Sequence, residues 1–273
     1  MKNSNILVIG APKSGTSALF FKIKRSVSKD YISFFEPTED DIDKLDFTKG
    51  PYLIKEVSPH YKDWHKNFSK IIYIARDPRD RLISSIVYGA GFHKLPGSGF
   101  KDLVNGIRIF SKKQKDPQSI SVKQIMQTVL GLEHGGAKSR IDLQLMEKAF
   151  IFHYEKLVLN DFAGLEGFLG FQLYEKNNVE KQFARVIRTK SSGSWRNWFL
   201  KEDVIYFKPI FKEYFEYFGY DFHDWNTNDT QIISKKESIY YIMKLIHEKK
   251  ISRLRKIKSK IEDYFLKLKR QSL

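Results

Sequence analysis

Residues 5–17, NILVIGAPKSGTS, constrain the fold of this chain more than any other stretch. The apolar run from Ile6 to Ile9, rich in β-branched residues, predicts a buried strand. Gly10 begins a loop of small residues, and the pattern becomes helical from Thr16 onward, with Ser17 as the expected helix cap. A strand, a glycine-bounded loop and a helix start bring backbone N–H groups and the positive end of a helix to one point. The stretch therefore predicts a phosphate site at the end of the first strand.

The lysine of this loop is not where the Walker A motif of nucleotide-binding proteins has it. That motif is G-x4-G-K-[ST], whereas Gly10 and Gly15 keep the glycine spacing but are followed by Thr16 and Ser17. The lysine, Lys13, lies two positions before the second glycine, inside the loop. Its ammonium is therefore expected over the terminal group of the ligand. Taken alone, the stretch could also be an ordinary strand, turn and helix with an incidental lysine.

The loop resembles the 5′-phosphosulfate loop, PKSGT[TS], of the sulfotransferases, enzymes that use 3′-phosphoadenosine 5′-phosphosulfate (PAPS). The resemblance implies that PAPS is the cofactor and that no metal is required. It also implies a catalytic role for Lys13, whose ammonium would stabilise charge on the oxygen between phosphate and sulfate as that bond breaks. The cofactor contacts that it implies come from the whole hexapeptide: Pro12, Lys13, Ser14, Gly15, Thr16 and Ser17.

A second resemblance lies just after another predicted strand, residues 70–75 (KIIYIA). In sulfotransferases an arginine at this point and a serine eight positions later hold the 3′-phosphate of the cofactor, and Arg76 and Ser84 have that spacing. A guanidinium offers a forked pair of donors to phosphate, and a serine on the following helix adds a hydroxyl. The alternative is that the charged run RDPRDR, residues 76–81, forms only a solvated surface network.

The third resemblance covers residues 188–199, RTKSSGSWRNWF, which are similar to the sulfotransferase segment R-K-G-x-x-G-D-W-K-N-x-F. Lys190 stands where the family has a glycine, which would change the way the loop closes over the cofactor. The resemblance implies cofactor contacts from four residues of the segment, with the first of them at the 3′-phosphate: Arg188, Lys190, Ser191 and Gly193.

A further strand is predicted at residues 149–154, AFIFHY. Together with EKLV and the later LEGFLGF, it resembles the Y-E-D-L-V…FLGF segment of the same family. The resemblance implies that Tyr154 lies on the adenine side of the cofactor. The alternative is a half-buried strand tyrosine without that contact.

The base that removes the acceptor proton is expected at the end of the predicted strand YLIKEV, residues 52–57. The stretch from Glu56 to residue 61, EVSPHY, resembles E-K-[ST]-P-x-Y of carbohydrate sulfotransferases, in which the glutamate is the base. Cytosolic small-molecule sulfotransferases use a histidine in a comparable strand instead, which keeps His60 as the second candidate. Lys55 alternates to the opposite side of the strand, where it is expected to cover the sheet or pair with an acid. Because a base is judged first by its reach, we favour Glu56.

Strands that alternate with helices predict an α/β fold with a doubly wound, mainly parallel sheet. Ligands of such sheets bind at the carboxyl ends of the strands, and Lys13, Glu56 and Arg76 each lie at or just beyond such an end. The acidic cluster EDDID at residues 39–43 invites a metal site, but after Pro37 and Thr38 it is better explained as a solvated helix start. We therefore expect no metal site.

The excess positive charge is concentrated at the C-terminus. The formal net charge is +16, and residues 234–273 hold 13 lysines and arginines against 4 acids, so nine of those charges lie there. Apolar residues from Ile251 to Leu268 recur at helical spacing opposite a basic face. We predict a sulfotransferase domain over residues 1–230 and a basic amphipathic helical tail over 231–273. Docking of the tail on the domain or on a partner is the default, and contact with an anionic membrane surface is the alternative.

Composition limits the remaining classes. The chain has no cysteine, which excludes disulfides and thiolate metal sites. It has no apolar run of transmembrane length, and the N-terminus leads almost directly into the first strand without room for a signal peptide. We therefore expect a cytoplasmic protein, with peripheral membrane association through the tail as an addition.

The resemblances occur in one order from residue 5 to residue 199 and imply transfer of a sulfuryl group from PAPS to a hydroxyl or amine, with a carbohydrate or glycolipid as the expected acceptor. A P-loop kinase is the alternative enzyme, disfavoured because the Walker lysine and a Walker B aspartate for Mg²⁺ are missing. A nucleic-acid-binding protein would explain the pI of about 9.6 and the interleaved aromatic residues. That signal is generic, so no nucleic-acid partner is expected.

Overall fold

The computed structural model of the chain describes residues 4–57, 63–92, 100–131, 143–174 and 191–248. Their centre is one parallel sheet of five strands in the order β2-β3-β1-β4-β5. The parallel α/β sheet expected from the sequence is therefore confirmed. The strands are β1 (Ile6–Ile9), β2 (Ile32–Phe35), β3 (Tyr52–Lys55), β4 (Lys70–Ala75) and β5 (Ala149–His153).

Nine helices connect and cover these strands within the described ranges, and a further helical segment spans residues 239–248. Single 3₁₀ turns lie at Asp63–Asn67, Ser194–Asn197 and Lys235–Glu237. The helices are α1 (Thr16–Ser26), α2 (Glu39–Asp43), α3 (Pro78–Phe92), α4 (Phe100–Lys115), α5 (Val122–Leu130), α6 (Leu143–Met146), α7 (Tyr154–Leu159), α8 (Ala163–Leu169) and α9 (Lys201–Phe218).

Both faces of the sheet are buried, as a doubly wound arrangement requires. Along β1, Ile6 and Val8 face an apolar cluster formed with α1, α7 and α8. Leu7 and Ile9 face a second cluster, to which α6 and α9 contribute. The alternation of side chains along one strand thus fills two cores, which explains why the strand sequence is apolar at every position.

Three local predictions need correction. Ser17 is not the cap of α1, because the helix begins at Thr16 and its N-cap residue is Gly15. The strand predicted at 52–57 ends at Lys55. Tyr154 does not end a strand but begins α7, directly after β5.

The acidic cluster at residues 39–43 forms a helix start, as the sequence predicts. Thr38 caps α2, and the Asp41 carboxylate accepts a hydrogen bond from the Thr38 N–H at 2.9 Å. Three acids stand in the first turn, where the helix dipole favours negative charge. In the described part of the chain, no group of three or more His, Cys, Asp or Glu residues could hold a metal ion.

The first part of the predicted tail packs in a third apolar cluster, built mainly on α3, α5 and α9. Tyr241, Ile242 and Leu245 are buried there. The contact with α3 is close, since a Cβ on Gly91 would lie 2.9 Å from the Cβ of Leu245. This segment therefore docks on the domain, whereas the amphipathic helix predicted from residue 251 lies outside the described residues. None of the described helices combines the length and the apolar character needed to cross a bilayer.

Candidate active site

The loop between β1 and α1 has the backbone of an anion cradle. Lys13 and Gly15 both have positive φ, at 70° and 101°, and the Ser14 N–H donates to the carbonyl of Ala11 at 3.1 Å. No side chain caps α1, and no acid stands in its first turn. Because the first N–H groups of a helix lack partners within the helix, they point into the loop as donors for a ligand.

Two glycines of the loop cannot carry a side chain. A Cβ on Gly15 would lie 2.5 Å from the Tyr154 ring, and one on Gly10 would lie 2.6 Å from the carbonyl oxygen of Ile74. The loop is thus in close contact with β4 and with the start of α7. The contact between Tyr154 and Gly15 is one that the sequence alone does not indicate.

Arg76 is the strongest sign of a ligand. It follows β4 and is buried, and its Nη1 donates to the carbonyl of Lys13 at 3.0 Å. Its guanidinium carbon lies 4.2 Å from the centre of the Tyr154 ring. The Nε and Nη2 atoms are buried without a hydrogen-bond partner among the described residues. Buried donors are almost always paired, so these two positions fit a phosphate group, which accepts such a fork.

Tyrosine and glutamate side chains fix the backbone around Arg76 by hydrogen bonds. The Arg76 N–H donates to the Tyr214 hydroxyl at 3.3 Å, and the Asp77 N–H donates to Glu155 at 3.1 Å. The Tyr220 hydroxyl donates to the same carboxylate at 2.9 Å. Burial raises the pKa of Glu155 above its usual value, and these donors oppose that shift. These hydrogen bonds therefore hold the backbone of Arg76 in a fixed position.

The charged run after β4 is not a solvated network. All five of its charged residues are buried, so that alternative is wrong: Arg76, Asp77, Arg79, Asp80 and Arg81. The Arg79 guanidinium pairs with the Asp77 carboxylate at 2.7 Å. Buried charges persist only with such partners or with a ligand, which makes this run part of a built site.

Glu56 directly follows β3, whose carboxyl end lies next to that of β1 and its loop. Lys55 pairs with Val8 in the sheet register, and the Glu56 N–H donates to the Val8 carbonyl at 2.9 Å. Since β3, β1 and β4 are neighbours in the sheet, Glu56, Lys13 and Arg76 emerge from adjacent strand ends. The Glu56 side chain accepts a hydrogen bond from the Val57 N–H at 2.8 Å and is only half-buried.

Lys55, the last residue of β3, pairs with an acid, as the sequence predicts. Its ammonium forms an ion pair with Glu36 and lies 4.4 Å from the centre of the Phe35 ring. Burial lowers the pKa of Lys55, and the Glu36 carboxylate opposes that shift. This lysine is therefore engaged by residues of β2 and of the turn that follows it.

The ammonium of Lys13 lies over an aromatic ring of α3. Its Nζ atom is 3.9 Å from the centre of the Tyr88 ring. Ser84, a predicted 3′-phosphate residue, is buried one helical turn before that tyrosine. The spacing of four residues from Ser84, which puts both residues on one face of a helix, is the sequence signal for Tyr88.

The third predicted cofactor segment is described only from Ser191 onward, and Arg188, Lys190 and His60 lie outside the described residues. Ser191 is half-buried. Gly193 has a positive φ of 78°, and its N–H donates to the carboxylate of Asp80 at 2.5 Å. The amide of Gly193 is therefore engaged by the protein. The sequence assigns Asp80 no role beyond membership of the charged run at 76–81, although it lies four positions after Arg76, in the first turn of α3.

A parallel sheet with a phosphate loop after its first strand and a buried arginine beyond its fourth defines a P-loop-like phosphate-binding enzyme. The family profile described as the sulfotransferase domain matches residues 3–164. That match covers more than half of the chain, so the chain belongs to the sulfotransferase family and is a PAPS-dependent sulfotransferase. The family resemblance found in the sequence is thereby confirmed, and the kinase and nucleic-acid alternatives are not retained.

Two solved structures show what the chain is similar to. Mouse sulfotransferase SULT7A1, solved in complex with PAP, has 19% sequence identity and a TM-score of 0.49, over 79% of this chain and 86% of that one. Retinol dehydratase, solved with retinol and PAP, has 16% identity and a TM-score of 0.32, over 79% and 82% of the two chains. Comparison with the curated proteins gives no match.

Proposed function

We propose that this sulfotransferase moves a sulfuryl group from PAPS to a hydroxyl or amine of a carbohydrate or glycolipid acceptor. The observation that carries the donor part is Arg76, with two buried donors that lack a described partner beside the anion loop. The likeness of the segment at Glu56 to that of carbohydrate sulfotransferases supports the acceptor class.

The residues that would hold the donor lie on three segments. Arg76, Ser84 and Arg188 would bind the 3′-phosphate, and Tyr154 would lie near the adenine. The 5′-phosphosulfate would rest on the loop residues and the start of α1: Pro12, Lys13, Ser14, Gly15, Thr16 and Ser17. When bound, PAPS supplies an activated sulfuryl group that is transferred with the 5′-phosphate as leaving group.

The protein's own part in the reaction divides between a base and a cation. Glu56, at the end of β3, would take the proton from the acceptor hydroxyl as the new oxygen–sulfur bond forms, with His60 as the second candidate. Lys13 would hold its ammonium against the negative charge left on the phosphate oxygen. Tyr88 keeps that ammonium beside α3, so the cation is close to the loop before the ligand arrives.

The test of the donor site compares 3′-phosphoadenosine 5′-phosphate (PAP) with AMP by calorimetry. These ligands differ only in the 3′-phosphate, and a buried hydrogen bond to a charged group contributes about 1.5–3 kcal/mol. Two or three such bonds should make PAP at least about 100-fold tighter than AMP. Arg76→Met should remove most of that preference, whereas Arg25→Met, a change on the exposed end of α1, should keep it. Equal affinities of the wild-type protein for PAP and AMP would refute the assignment.

We also propose that the basic end of the chain attaches the enzyme to an anionic membrane surface. Residues 249–273 carry most of the positive charge of the tail. Deletion should start after residue 248, because Ile242 and Leu245 belong to the core. The shortened protein should bind PAP with unchanged affinity and lose sedimentation with vesicles that contain phosphatidylserine. Unchanged vesicle binding would contradict the membrane role, and loss of PAP binding in a folded protein would make this tail part of the donor site.

A further inference from the structure

The carboxylate of Asp80 holds the chain of the third cofactor segment against the first turn of α3. It accepts hydrogen bonds from the Gly193 N–H at 2.5 Å, the Ser194 hydroxyl at 2.9 Å and the Trp195 N–H at 3.0 Å. These donors lie 113 to 115 positions away in sequence. Asp80 itself is fully buried, and a buried carboxylate depends on such donors. All three donors come from one short loop.

Arg79, the neighbouring residue of α3, contacts the same loop through a cation–π interaction. The Arg79 guanidinium carbon lies 4.0 Å from the centre of the Trp195 ring, and the Arg79 side chain is held in turn by Asp77. Arg79 also donates to the backbone carbonyl of Asp224. The first turn of α3 therefore fixes both the backbone and the aromatic side chain of the loop.

The helix that makes these contacts begins two residues after Arg76 and carries Ser84 two turns further on. The loop that it holds, residues 193–195, belongs to the sequence segment 188–199 that starts with Arg188. Asp80 is thus the hydrogen-bonded link between the two chain segments that would share the 3′-phosphate. No role in the reaction or in donor binding has been assigned to it above.

We propose that Asp80 is a positioning residue for recognition of the 3′-phosphate, and this inference rests on the proposed function. It sets the distance between the end of the third segment and α3. Without it, Arg76 and Ser84 on one side and the third segment on the other are no longer held at a fixed distance. The loop after β1, which would bind the 5′ side, keeps its contacts. Asp80 therefore controls the preference for PAP over AMP rather than nucleotide binding in general.

Asp203 offers a matched control for a change of Asp80. It is also fully buried, and it accepts three backbone N–H bonds, from Val122 at 3.0 Å, Lys123 at 2.8 Å and Leu200 at 2.9 Å. Those donors lie at the starts of α5 and α9, outside the loop from Gly193 to Trp195 that Asp80 holds. Asp80→Asn and Asp203→Asn thus remove the same charge from the same kind of pocket.

The experiment measures the affinities of PAP and AMP by calorimetry for the wild-type protein and both variants. Asp80→Asn should lower the affinity ratio of PAP to AMP by about tenfold or more, mainly through weaker PAP binding. Asp203→Asn should lower the melting temperature and leave the ratio unchanged. Ser194→Ala, which removes one donor to Asp80, should lower the ratio in the same direction and decides the matter if Asp80→Asn does not fold.

Two results would overturn the inference. One is a ratio unchanged in Ser194→Ala and in a folded Asp80→Asn. The other is an equal fall of the ratio in Asp203→Asn, which would show that any loss of core stability has this effect. A wild-type protein without preference for PAP would instead refute the 3′-phosphate site, and with it the proposed function.

Discussion

Replacing Glu56 with glutamine should slow sulfuryl transfer in a single turnover by about 10²–10⁴-fold, the usual contribution of a general base. Glutamine has the same shape and can still accept the hydrogen bond from the Val57 N–H, so the strand end should keep its conformation. It cannot take the acceptor proton. Affinity for PAP, measured separately by calorimetry, should stay the same, because Glu56 is not among the residues assigned to the donor.

Glu36 provides the control for this change. It also stands at the carboxyl end of a strand, but its carboxylate is paired with Lys55. Glu36→Gln should therefore leave the single-turnover rate within about threefold of the wild type, since neither Glu36 nor its partner Lys55 is assigned to the donor or to the proton transfer. A loss under about tenfold in Glu56→Gln, beside a large loss in His60→Ala, would move the role of base to His60.

The second large effect is expected at Lys13. Replacement by methionine keeps the length of the side chain and removes the ammonium, and kcat at saturating PAPS should fall by about 10²–10³-fold. Binding of PAP should change far less, because the backbone of the loop and Arg76 remain. A cation that acts on charge that develops during the reaction affects kcat more than affinity.

Lys24→Met serves as the comparison for Lys13→Met. Lys24 is an exposed lysine at the end of α1, so its loss changes the net charge equally without touching the loop. Near-normal turnover of Lys13→Met with saturating PAPS would exclude the catalytic role. A fall in PAP affinity as large as the fall in kcat would make Lys13 a binding residue instead.

The parts of the fold that depend on local sequence could be predicted. The apolar runs of β1 and β4 are buried on both faces, and their side chains alternate between two cores, so the pattern alone identifies them. The loop after β1 follows from its glycines and from the helix start. The meeting of Glu56, Lys13 and Arg76 at one edge follows from the rule that parallel strands end together.

What the sequence could not provide are contacts between residues far apart in the chain. Asp80 accepts hydrogen bonds from a loop that begins 113 positions later, and Tyr154, at the start of α7, packs against Gly15. The burial of the charged run after β4 depends on α9 and on the loop at Trp195, which cover it from a distance in sequence. The high content of charged residues in that run favours a solvated surface when it is considered alone, because charged residues are usually exposed.

The two buried donors of Arg76 have a consequence for stability when a ligand binds. They have no hydrogen-bond partner among the described residues, and a buried donor without a partner costs about 1–3 kcal/mol. A phosphate that accepts from both donors offsets that cost in the folded protein but not in the unfolded chain. The free energy of unfolding should therefore rise with the concentration of PAP or PAPS, so that the nucleotide stabilises the fold as well as taking part in the reaction.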